Sequence, residues 1–532
     1  MRKCIFNILC VIATIIVFLI TPFSSSYAAS LEIAQQADNA SEPNPSCAEK
    51  PIDIQKYGGA DFQNPTEISS RDGVVSTELE VKYGDNIIAG CPVHLRSYNG
   101  NLVGPTLRVK PSDRMNITLI NSLPPDPLSR QADINNTPHR FNTTNFHTHG
   151  FHVSPSGISD NVLREMEPQN SYPIEIELPS DHPAGTHWYH AHQHGSTAIQ
   201  VSSGMAGALI VEGGLDEIPE IKNAEEKTFV FQQIFYDTTG NLESYDAFGV
   251  DSNGNSKWSV SGRQTTINGQ VYPTIRMRPG EVQRWRLIHA GIRDTIELGL
   301  QYPNHQNIPL HEIAVDGITL GKKDSWNELE LQPGYRSDVL VKADKFPGTY
   351  YLVDLPTSPQ RSLLAVGETG QYLAKVVVEG EPVDMKLPDD SELLAVKQQD
   401  SPPEIGDITG HQQVVFNIDI NTQPAKFTVN GESFNPNDPN PISLTLNTAD
   451  EWNLSSQLAN HPFHIHVNPF QYTRKDPNGN NENIWRDTLL VRNGSPETVK
   501  SRYTEFDGKF VLHCHILDHE DQGMMKLVQI TN

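Results

Sequence analysis

Short runs of alternating apolar and polar residues, not long helical stripes, fill most of this chain. Leu107, Val109, Ile117 and Leu119 alternate with polar neighbours, the period-two pattern of half-buried strands. Pro111-Ser112-Asp113 and Pro279-Gly280-Glu281 punctuate such runs with turn residues. The pattern predicts many short strands and an all-β fold of Greek-key β-sandwiches. A long-period repeat sets their number. The stretch from Gly104 to Asp113 recurs from Tyr272 to Glu281, and a weaker third copy runs from Ile442 to Leu454. Solenoid units are far shorter, so the repeat marks three domains of similar build. They are expected at 60–215, 216–385 and 405–532, which suits a chain of 532 residues. The proline- and acid-rich segment Glu381 to Gly410 reads as the second linker, and residues 30–58 as a polar arm.

The first residues follow a different pattern. Arg2 and Lys3 precede an apolar run from Ile5 to Ile20, and small residues follow at Ser24-Ser25-Ser26-Tyr27-Ala28-Ala29. This order describes a secretory signal peptide over residues 1–29, cleaved after Ala28 or Ala29. The competing reading, an uncleaved anchor, needs about 20 apolar residues, more than the run supplies. Periplasmic or extracellular export is expected, with no membrane association after cleavage. Losing Arg2 and Lys3 deepens the formal charge from −25 to −27. That acidity disfavours nucleic acid and anionic membranes as partners and tolerates cationic substrates. A monomer is expected. Cys4 and Cys10 leave with the signal, and Cys47 and Cys91 could then pair as a disulfide.

The most informative chemistry lies near the C-terminus. His513-Cys514-His515, followed by His519 and Met524, places five potential soft-metal ligands within twelve residues. A thiolate, an imidazole and a thioether at Cys514, His519 and Met524 supply most of a blue-copper electron-transfer site. On a strand, Cys514 would face one side while His513 and His515 face the other. Three more clusters match: His147-Thr148-His149, His190-Ala191-His192, and His461 with His464 and His466.

Together these four motifs resemble the signature of the multicopper oxidases, the family of laccases, ascorbate oxidase and bacterial cuprous oxidases. The resemblance covers the chain from about Tyr83 to its end. It implies cupredoxin-like domains and about four copper ions, of kinds suited to Cys/His and imidazole donors. His461, Cys514 and His519 would hold the type 1 ion with Met524 as axial ligand. His147 and His464 would hold the type 2 ion. His149, His190, His192, His466, His513 and His515 would share the type 3 pair. Because the motifs divide between the first and third domains, their histidine cluster is expected at that interface, with the middle domain as spacer. His152, His187 and His194 flank the motifs and are expected to orient ligand histidines or to be structural; the other seven of the 20 histidines are isolated.

The implied reaction is four one-electron oxidations of a donor coupled to reduction of dioxygen to two waters. Asp160 and Asp518 resemble acids that assist proton delivery in the family, the alternative for each being a hydrogen bond to a ligand histidine. A phenol or aromatic amine is the expected donor, as in laccases. Fe(II) or Cu(I) is the alternative, with the eight methionines too scattered for a cuprous-ion insert. A non-enzymatic copper carrier is the third reading, opposed by the intact ligand set.

Overall fold

The computed structural model describes residues 44–48, 50–125, 136–249, 256–258, 261, 263–363 and 365–532. The signal peptide expected at 1–29 lies outside them. The strands form six sheets, two for each third of the chain. Residues 67–211 make sheets of four and five strands, 225–378 two sheets of six, and 410–531 sheets of six and five.

One wiring recurs in all three. Val74–Ile88, Glu225–Gln232 and Gly410–Asp419 run parallel to Arg114–Asn121, Val282–His289 and Ala449–Ser456 respectively. In the facing sheets Thr106–Val109, Thr274–Met277 and Ile442–Thr445 run parallel to the last strand of their own third. The sequence repeat is therefore the arch that leaves one sheet and enters the other, which gives each third a cupredoxin-like sandwich. Trp285 and Trp452 sit at matching positions of the second strand and are buried in their cores. Burial alternates along strands such as Arg114–Asn121 and is continuous along others such as Val282–His289, and each buried Leu, Ile, Val or Phe contributes roughly 1.5–3 kcal/mol.

The segment expected as a linker is more ordered than its composition suggests. Within it, Asp390–Asp400 is an α-helix whose start is fixed by Glu392 accepting from the Asp389 backbone N–H. Leu393 anchors it in an apolar cluster with Leu215, Ile221, Val282 and Ile313.

Cys47 and Cys91 form a disulfide that ties the arm to the strand Cys91–Tyr98. The bridge closes a 44-residue separation, for which chain entropy allows about 4 kcal/mol. A Cys47→Ala/Cys91→Ala variant is expected to lose up to that much stability in denaturant unfolding while keeping its native circular dichroism. An unchanged midpoint would mean that packing alone holds the arm.

The wiring also puts the ligand motifs on equivalent strands. His147–His149 and Gly185–His190 are antiparallel neighbours, with His147 opposite His190. In the last third His461–Ile465 and Gly508–Cys514 are the same neighbours, with His464 opposite His513. The matching strands of the middle third, Ile296–Gln301 and Gly348–Asp354, carry no histidine.

Candidate functional site

The eight imidazoles of the first and third domains meet face to face. His147 stacks on His466 with ring centroids 3.9 Å apart, and His149 stacks on His464 at 3.8 Å. His149, His190 and His515 converge as one triad, and His192, His466 and His513 as another. Exchanging the two domains by their equivalent strands converts one triad into the other and maps the pair His147 and His464 onto itself. The cluster thus has an approximate two-fold built from the same strands used twice.

Every one of these rings is buried. Burial holds them neutral: His190 and His464 are pushed down to about 3 and His513 to about 4. Neutral imidazole is the form that binds a metal. Nitrogens of His147, His149, His190, His464 and His515 are buried with no protein partner. The Nε2 atoms of His192 and His466 lie 3.0 and 3.3 Å from that of His513. Each orphaned buried polar group costs about 1–3 kcal/mol, so a metal-free fold would not keep this many. Orphaned, converging nitrogen donors fit copper.

A second set lies one chain position away. His461, Cys514 and His519 bring ligand atoms within 4.8 Å of one another. Nitrogens of His461 and His519 are again unpartnered. Burial pushes the Cys514 thiol well up, and a coordinated cation is what would hold it as thiolate. Met524 is buried, and its backbone is tied to both other residues of the loop: Cys514 N donates to Met524 O at 3.0 Å, and Met524 N to His519 O at 2.9 Å.

The two acids singled out by sequence have different surroundings. Asp160 lies 3.1 Å from His147 Nδ1 and accepts from the Thr148 hydroxyl at 2.7 Å. Burial pushes it up to about 7. Asp518 turns away from the imidazole cluster and is clasped by Arg293 of the middle domain, whose Nε donates at 2.9 Å. On the same short helix Glu520 faces the cluster, 3.5 Å from His192 Nδ1 and 3.9 Å from His513 Nδ1. Burial and the adjacent Asp521 push its carboxyl well above the usual range. Leu517–Asp521 is a short helix, so residues two apart differ by about 200° in direction. A strand-minded reading of the motif could not choose between Asp518 and Glu520; a helical wheel over 517–521 would have set them on opposite sides.

Sequence reasoning also missed the group that seals the cluster. Asp487 accepts from Arg336 and lies 3.1 Å from His149 Nε2. Gly150, at φ +91°, makes room for it, because a Cβ there would come within 2.3 Å of Arg336 and 2.7 Å of Asp487. Asp521 caps a domain-one helix from domain three, accepting from the backbone N–H groups of Gly195, Thr197 and Ala198. Of the flanking histidines, His152 contacts the Val467 carbonyl, and His187 packs against Phe151 and His182. His194 lies with Glu520 and Asp521.

Comparisons with known proteins point to one family. Profiles of multicopper oxidase domains match residues 80–215, 226–370 and 407–532. A multicopper oxidase of Staphylococcus haemolyticus is 26% identical over 454 residues, 82% of this chain and 83% of that protein. A laccase of Bacillus subtilis is 23% identical, covering 83% and 91%. A Campylobacter jejuni multicopper oxidase, described as a metallo-oxidase, superposes with a TM-score of 0.71 at 20% identity, covering 91% and 98%. A laccase-like oxidase of Ochrobactrum, described as acting on lignin model compounds, gives 0.67 at 22%, covering 88% and 100%. The chain belongs to the multicopper oxidase family and is a copper-dependent oxidoreductase.

Proposed function

We propose that this protein is an exported, monomeric oxidase that takes single electrons from a phenol or aromatic amine and reduces dioxygen to water. One observation carries the reading. Cys514 belongs to the His461–Cys514–His519 set, while its chain neighbours His513 and His515 belong to the two triads. Bound at these sets, about four copper ions would supply one-electron chemistry and open positions for dioxygen. His461, Cys514 and His519, with Met524, would hold the type 1 ion, His147 and His464 the type 2 ion, and the triads the type 3 pair.

The remaining work falls to the chain. The backbone on either side of Cys514 links the two sets covalently, and burial keeps bulk water from the imidazoles. Asp160, on the His147 side, has its carboxyl pushed up to about 7 and so can donate a proton near neutrality. Glu520, its carboxyl raised well above the usual range by burial, would supply protons from the His192 and His513 side, a role that its position favours over Asp518.

His519 is the type 1 ligand nearest solvent, 8% exposed against 0% for His461. Phe427 lies 4.8 Å from its ring, a surface suited to an aromatic donor. The leader pattern and the Cys47–Cys91 disulfide support export to an oxidising compartment. No helix among the described residues is long and apolar enough to cross a membrane.

Oxidation of Fe(II) or Cu(I) is the second reading, favoured by the acidic balance and by the metallo-oxidase description of the Campylobacter relative. Steady-state oxidation of a phenol, Fe(II) and Cu(I) by one copper-loaded preparation separates the two. The phenol is expected to give the highest kcat/KM; a higher value for either ion would transfer the assignment to that ion.

A further inference from the structure

The middle domain supplies no ligand, yet it grips the helix that carries His519. The Leu517 N–H donates to the Ile292 carbonyl at 3.2 Å. The Tyr245 hydroxyl donates to the Asp518 carbonyl at 3.3 Å. Arg293 reaches the Asp518 side chain with both prongs of its guanidinium, Nε to Oδ1 at 2.9 Å and Nη2 to Oδ2. The pair is buried, with Arg293 4% and Asp518 2% exposed. Phe248 and Trp258 of the middle domain flank the guanidinium at 5.6 and 5.5 Å. Its remaining nitrogen, Nη1, donates to the Phe248 carbonyl at 3.4 Å. A bidentate, aromatic-walled clasp of this kind fixes both orientation and charge.

Asp518 precedes His519 directly, so its charge lies beside a site whose own charge changes by one with each electron it takes up or passes on. In a water-poor surrounding a lone carboxylate there would favour the more positive, oxidised state of the site, and a lone guanidinium the reduced state. Paired, the two nearly cancel. We propose that Arg293 is a positioning residue of the type 1 copper site: from the middle domain it holds the His519 helix in place and neutralises Asp518, thereby setting the site's reduction potential. This rests on the copper-oxidase reading above. It makes the middle domain a regulator of electron entry instead of a spacer.

The test is a redox titration of the blue band in copper-loaded protein, with copper content measured alongside. Arg293→Gln is expected to lower the potential and Asp518→Asn to raise it. Each shift should be at least about tenfold in the one-electron equilibrium, 59 mV. The double variant, which removes both charges, should return towards wild type, and Arg293→Lys should lie nearer wild type than Arg293→Gln. A contact that only braces the helix predicts otherwise: both single variants would move the potential in one direction or leave it unmoved, and the double would be the worst. Either pattern overturns the proposal. If Arg293→Gln does not take up copper, Asp518→Asn and the double variant still decide, through a rise that the second substitution reverses. A wild-type protein without a blue band would instead count against the copper reading itself.

Discussion

Cys514→Ser is expected to abolish the intense visible absorption of the copper-loaded protein and, with it, turnover of every donor. The band requires a thiolate on copper, and Cys514 is the sole free cysteine among the described residues. A serine oxygen is a hard, weakly acidic ligand that does not replace it. Copper content should fall by one ion per chain. The eight imidazoles should keep theirs, because the cluster takes only histidines from the strand Gly508–Cys514 and the residue after it. Visible spectroscopy and metal analysis on the same sample check both halves. A surviving blue band would remove the type 1 assignment; loss of all copper would show that the two sets are not separable.

Glu520→Gln is expected to slow reoxidation by dioxygen by about 10²-fold, the lower range for a lost acid–base group. Glutamine keeps the shape and the hydrogen bond from the Thr197 hydroxyl (3.1 Å in the parent), but cannot cycle a proton. Anaerobic reduction of the type 1 site should stay near wild type, since Glu520 faces His192 and His513 and not His461. Asp518→Asn should lack this loss, because its carboxylate is held by Arg293. Rapid mixing of fully reduced protein with dioxygen reads the step directly. Wild-type reoxidation in Glu520→Gln would make the residue structural and send the protons by another route.

How much of this was legible in sequence follows from which regularities are local. The twelve candidate ligand positions could be singled out because strand geometry makes His-x-His a same-face pair, and because the family motif fixes where the cysteine falls. The three sandwiches could be read because the inter-sheet arch repeats, with a tryptophan at the matching position in the second and third copies. Which acid faces the imidazoles from the third domain could not be read, because Asp518, Glu520 and Asp521 share one motif and the helical turn over Leu517–Asp521 sets their directions. Arg293, Arg336 and Tyr245 were invisible for another reason: they lie outside every motif and reach the site only through tertiary contacts. Composition misled at Asp390–Asp400, where prolines on either side masked a capped helix.

The two-fold arrangement of the imidazoles has a consequence for the order of events in making the protein. Chains are synthesised from the N-terminus and tend to fold domain by domain. The first sandwich carries His147, His149, His190 and His192, and the residues that face them lie at the far end of the chain. Neither half alone closes a triad, since each triad draws on both domains. Copper arriving early would meet exposed, incomplete donor sets open to any competing metal. Faithful loading therefore belongs to the finished chain, after the last sandwich has docked against the first.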